Sequence, residues 1–243
     1  MASVSRRVSR VIGVIALLAW SVIAPAHDCS VAVDVGHFLE RPGATSARGR
    51  TEFELNAELA QVVVRALARR GCRVSSIGER GDVADLRERT ARARGAAFFL
   101  SIHHDSAAER FLEHWSIDGV DRLYTDRFAG FSLFVSHDNA HAERSLRCAS
   151  AIGRELRAHD FVPSWFHADP QFGQARPFAD QVNGVHWFDD LVVLRTAAQP
   201  AVLFEAGVLV NRNEELMLQR PDVRERIAGA VSDAIVACLR YRR

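Results

Sequence analysis

The chain has 243 residues, with 31 basic and 30 acidic side chains for a formal charge of +1, and every basic side chain is arginine. The absence of lysine excludes Schiff-base enzymes, pyridoxal phosphate anchors and P-loop NTPases of the GxxxxGKS/T kind. Near-neutral charge argues against sequence-independent nucleic-acid binding, and 48% hydrophobic with 25% charged residues describes an ordinary globular domain.

In chain order, Ser5–Arg10 is basic, Val11–Ile23 is apolar apart from Gly13 and Ser21, and Ala24-Pro25-Ala26 follows. This is the pattern of a secretory signal over residues 1–26, cleaved after Ala26. The apolar run spans only about 20 Å as a helix, short of a ~30 Å hydrocarbon core, so no stable membrane insertion is expected after cleavage. The expected destination is the periplasm, otherwise the extracellular space or cell wall. Loss of Arg6, Arg7 and Arg10 turns the charge from +1 to −2.

Residues 27–243 contain no linker, repeat or charge block, and read as a single catalytic domain. Strands are predicted over Ser30–Val35, Arg73–Ile77, Ala97–Ile102, Gly130–Val135, Leu191–Leu194 and Ala201–Glu205. Helices are predicted over Glu52–Arg70, Asp82–Arg94, Ala140–His159 and Val223–Leu239, with another starting at Glu214 and broken at Pro221. Strands separated by helices imply a three-layer α/β/α fold with a twisted, mostly parallel sheet. Residues 105–130 and 160–190, rich in aromatic and turn residues, read as long loops or short helices rimming a site. The four cysteines, Cys29, Cys72, Cys148 and Cys238, allow two disulfides with three connectivities in an oxidising compartment. Cys29 and Cys72 each precede a strand, and would meet if those strands are parallel neighbours.

In open α/β sheets, ligands bind beyond the carboxyl ends of the strands. The first strand runs into Asp34-Val35-Gly36-His37, the third into His103-His104-Asp105, and the last into Glu205-Ala206-Gly207. At the start of the first helix, Thr51 and Glu54 have capping-box spacing, which leaves Glu52 free to point back to the strand ends. Two imidazoles and a carboxylate make a catalytic zinc set, with iron in a two-histidine-one-carboxylate site as the rival.

The motifs DVGH, EFELN, SIHHDS and PAVLFEAGVLVN, in this order, resemble the zinc-dependent N-acetylmuramoyl-L-alanine amidases of the amidase-3 type, from about Val31 to Leu239. The resemblance implies His37, Glu52 and His103 as ligands of one zinc ion and Glu205 as the catalytic glutamate. It implies hydrolysis of the amide between N-acetylmuramic acid and L-alanine in peptidoglycan. His104 and Asp105 depart from the family's Ala-Asn, and His103 rather than His104 is the expected ligand because adjacent residues of a strand point opposite ways. Val35 and Phe38 also depart from the usual residues around His37. Arg195, expected just beyond a strand end, is a candidate for binding a stem-peptide carboxylate, and Asp34 for orienting a ligand imidazole. Asn56 is expected to order the start of its helix. The long segment 105–130 suits either a self-inhibitory element with Glu109 or Glu113 at the metal, or a substrate wall of Phe111, Trp115 and Tyr124. The former would call for a protein activator. A monomer is favoured. Another exported zinc hydrolase, such as a carboxypeptidase or deacetylase, and a catalytically silent wall-binding homologue are the alternatives.

Overall fold

The computed structural model describes residues 29–241; the expected signal over residues 1–26 lies outside the described residues. Ser30–Val35 (β1), Arg73–Ile77 (β2) and Phe98–Asp105 (β3) alternate with helices Glu52–Arg69 (α1) and Leu86–Arg92 (α2). A hairpin of Glu113–Ile117 (β4) and Val120–Tyr124 (β5) follows, then Ser132–Val135 (β6) and helix Ala142–Ala158 (α3). Phe178–Asp180 (β7) and Val185–Trp187 (β8) lead through Val192–Thr196 (α4) to Ala201–Val208 (β9). Helices Arg212–Leu218 (α5) and Pro221–Arg240 (α6) complete the domain.

Seven strands form one sheet in the order β2-β1-β3-β9-β6-β8-β7. β2, β1, β3 and β9 are parallel; β6 runs antiparallel to β9, β8 parallel to β6, and β7 antiparallel to β8. Strand alternation sorts the side chains between two faces. Val31, Val33 and Val35, with Phe98, Leu100, Ile102, Val202 and Phe204, pack against α1, α3 and α6. Ala32, Phe99, Phe134, Ala201 and Leu203 form a smaller core with Ala93 beside α2 and with Val193 and Leu194 of α4. No helix among the described residues is long and apolar enough to cross a membrane.

Both disulfides form. Cys29–Cys72 joins the starts of β1 and β2, where Ser30 lies opposite Arg73, and Cys148–Cys238 ties α3 to α6. Three segments differ from expectation. Leu191–Leu194 is the start of a helix rather than a strand, since a short apolar run fits either geometry. α5 and α6 are separate helices as expected, but α6 begins on Pro221, two residues before its predicted start: at the first helical position the missing N–H of proline removes no bond. The segment 105–130 holds the β4–β5 hairpin, turned at Asp118-Gly119, both with positive φ as a tight primed turn requires.

Candidate active site and metal centre

The loop after β1, the first turn of α1 and the last residues of β3 bring the metal-ligand candidates together at the carboxyl edge of β1 and β3. α1 starts at Thr51, whose hydroxyl accepts from Glu54 N–H at 3.3 Å while Glu54 accepts from Thr51 N–H at 2.8 Å. That capping box fixes the first turn, and Glu52 is turned inwards and buried. His103 donates from Nδ1 to Glu52 Oε1 at 3.0 Å, and His37 Nε2 lies 2.9 Å from Glu52 Oε2. The donor atoms of His37, Glu52 and His103 all lie within 4.8 Å of one another. His37 keeps 33% of its side chain exposed, so the centre is open on one side. Burial opposes ionisation of Glu52, but the hydrogen bonds from His103 and His37 outweigh it and hold the carboxyl well below the usual range.

The backbone is shaped to these side chains. A Cβ on Gly36 would lie 2.3 Å from the His103 ring, and one on Gly43 2.4 Å from Glu52 Oε2. His37 itself has φ +68°, a left-handed conformation that costs a non-glycine residue about 1 kcal/mol or more. Arg89, fully buried on α2, compensates by donating to the carbonyls of His37, Val35 and Val83 while pairing with Asp34 at 2.9 Å. Asp34 also accepts from Ser101 Oγ at 2.7 Å. Asp34 therefore does not bond a ligand imidazole; it holds Arg89, which holds the backbone of His37.

Asn56 does more than order its helix. Its amide donates to Gly36 O at 3.2 Å and Glu52 Oε1 at 3.3 Å, and its oxygen accepts from His104 Nδ1 at 2.8 Å. His104 thus points to the opposite face from His103, and burial drives its pKa down to about 4.

Glu205 lies directly opposite His103 in the β3–β9 register, so both side chains leave the same face. Its Oε2 is enclosed without a hydrogen-bond partner. Burial, reinforced by Asp105 and Glu52, raises its pKa well above the ordinary value, with Arg176 opposing. Asp105 is anchored by the buried His167, whose Nε2 lies 2.5 Å from its carboxylate. Nothing in the local sequence around His167 signals this role, because the partner lies 62 residues away. Glu214 accepts from Gly130 N–H at 2.8 Å and Val208 N–H at 2.8 Å, fixing the entry to β6 beside β9; burial raises its pKa to about 7.

Other candidates fall elsewhere. Arg195 is exposed on α4, which leads into the amino end of β9, away from the edge that carries the metal ligands. Trp115 and Tyr124 pack together on the hairpin, and the Trp115 indole donates to Ala47 O at 3.0 Å. Phe111 packs against Phe128 and Phe172 instead. Glu113 accepts from the Tyr124 hydroxyl at 3.1 Å, and Glu109 lies in a short 3-10 turn, so neither is bonded to the three ligand candidates.

The family described as N-acetylmuramoyl-L-alanine amidase matches residues 31–237. An N-acetylmuramyl-L-alanine amidase of Mycobacterium smegmatis is 20% identical, with a TM-score of 0.69 over 88% of this chain and 98% of that one. One from Clostridium difficile 630 is 16% identical, with a TM-score of 0.67 over 90% of this chain and 100% of its own. The CwlD amidase of Clostridioides difficile, solved in complex with the GerS lipoprotein, is 20% identical, with a TM-score of 0.64 over 87% and 98% of the two chains. No protein of curated function matches the sequence. A match over nearly the whole described chain, on a fold shared from end to end with these structures, places the protein in the N-acetylmuramoyl-L-alanine amidase family.

Proposed function

We propose that the protein hydrolyses the amide joining the lactyl group of N-acetylmuramic acid to the first L-alanine of the peptidoglycan stem peptide. The observation that carries this reading is the meeting of His37, Glu52 and His103 with a second glutamate, Glu205, opposite His103 on the neighbouring strand. Two imidazoles and a carboxylate, with no thiolate, suit zinc. A zinc ion held by the three would supply a water acidified towards neutral pH and a positive charge for the carbonyl oxygen. Glu205 accepts a proton from the attacking water and passes it to the departing alanine nitrogen. Burial of the Glu205 carboxyl raises its pKa, which makes it the stronger base for the first half of that transfer. Asn56 and the Ala44 N–H, 3.2 Å from Glu52 Oε2, keep the Glu52 carboxylate in place.

The leader pattern over residues 1–26 and two disulfides support export to an oxidising compartment, the periplasm, where the chain would act as a monomer on the wall. The lipoprotein bound to the Clostridioides difficile amidase supports a protein activator as a partner.

Mass spectrometry of peptidoglycan treated with the protein tests the reaction. Release of intact stem peptides, abolished by a chelator and restored by zinc, is expected. Free D-alanine or acetate in their place would make the protein a carboxypeptidase or deacetylase. No release, with no zinc bound, would leave a wall-binding homologue.

A further inference from the structure

Arg176, ahead of β7, lays its guanidinium over the rings of Phe188, 3.5 Å from the centroid, and Phe134, 5.3 Å away. Across β6 and β9, Ser132 lies opposite Glu205 and Phe134 opposite Leu203. Phe134 and Glu205 are therefore diagonal neighbours on one face, with backbones roughly 7–8 Å apart. The loop is held in place, because Arg176 N–H donates to the carbonyl of His167 at 2.8 Å and His167 is anchored on Asp105. The guanidinium bonds one side chain, Gln174 of its own loop, at 2.7 Å. Its Nε is enclosed without a partner, and among the described residues Arg176 makes no ion pair. Burial disfavours its charged form, which the fields of Asp105, Glu205 and Asp190 only partly offset. Arg176 is half-buried, and its Nη1 bonds no protein group, so that edge of the guanidinium is the one a planar anion can reach and pair with.

We propose that Arg176 is a specificity-determining residue that receives a carboxylate of the peptide substrate, that of the residue after the alanine. The proposal rests on the amidase reading above. In a stem peptide that residue is a glutamate linked through its side chain, which leaves its α-carboxylate free. With successive Cα atoms 3.8 Å apart, this carboxylate lies about 7 Å from the scissile carbonyl, and Arg176 and Glu205 lie close enough for each to act on the charge of the other. An α-carboxamide at the same place offers no charge to pair.

The test uses N-acetylmuramoyl-L-alanyl-D-glutamate, γ-linked onward, with its α-carboxyl either free or amidated. Hydrolysis is followed with the full chain, and equilibrium binding with the Glu205→Gln variant. A preference for the free carboxylate of about 10- to 100-fold is expected in both, the worth of a charge-assisted hydrogen bond. Arg176→Gln should lower kcat/KM for the carboxylate substrate to that for the carboxamide, mainly through KM, and Arg176→Lys should restore part of the difference. Equal use of the two substrates, or a preference that survives Arg176→Gln in a variant with native melting temperature, overturns the proposal. If neither compound is hydrolysed but binding still favours the carboxylate through Arg176, the reaction assignment fails and the subsite stands. Binding without preference removes the subsite.

Discussion

The face of the sheet under α1, α3 and α6 and the face under α2 and α4 are built from the same strands, yet they end differently. On the first, Val31 to Val35, Phe98 to Ile102 and Val202 to Ala206 are apolar at every alternate position. Helices of 18, 17 and 20 residues, about 25–30 Å each, cover those strands from end to end. On the second, α2 has seven residues and α4 five, about 10 Å or less. They cover Ala32, Phe99, Ala201 and Leu203 and stop short of His103 and Glu205, which remain only partly buried. The same alternation that makes a core where a helix is long makes a site where the helix is short. Polar residues at the carboxyl ends are tolerated because nothing apolar is packed upon them.

Substitutions on the two faces should therefore separate activity from stability. The largest effect is expected for Glu205→Gln, which should lower kcat about 10²- to 10⁴-fold while zinc content, measured by elemental analysis, stays at one per chain. A carboxyl whose pKa is raised on folding contributes stability below its ordinary value of 4.5 and loses it as pH climbs towards the folded value. At pH 7 this variant should melt at or above the native temperature, and at pH 4 the advantage should vanish. A lower melting temperature at pH 7 would mean that Glu205 supports the fold. Arg89→Met lies at the seam of fold and site. Leaving Asp34 buried and unpaired should cost about 3–5 kcal/mol in urea unfolding, and freeing the His37 carbonyl should weaken zinc about 10- to 100-fold in a competition assay. On the closed face, Phe98→Ala should cost a similar ~3–5 kcal/mol through the cavity it leaves, with kcat unchanged below the melting transition. A fall in kcat there would show that the two faces are coupled. The smallest effect is expected for exposed Arg195→Ala, within about 0.5 kcal/mol of native stability and with the same KM.

Much of this was readable in the chain because it is local. β1, an apolar run, and β2 both form at their predicted bounds, and α1 follows from an apolar stripe begun by a Thr51–Glu54 capping box. His37, Glu52 and His103 meet as expected, since each sits beside an element whose end the sequence marks. Even the Asp118-Gly119 hairpin carries a turn signal, although the segment around it reads as a loop. Residues that act across the chain were not readable. Arg89 is one turn of an ordinary polar helix until α2 folds against β1 and its guanidinium finds three carbonyls. His167 and Arg176 sit in an irregular segment between α3 and β7, with no periodicity to place them, and their partners are met only in the folded chain. Arg195 follows an apolar run that fits helix as well as strand, and only packing decides between them.

The sequence by itself thus determined the parallel half of the sheet, the closed core and the kinds of residue at the strand ends, because periodicity and capping are properties of neighbouring residues. Tertiary structure alone decided which polar residues share a site and which orient the others. Those relations depend on strand order and on how far each helix reaches across the sheet, and neither distance is written in local spacing.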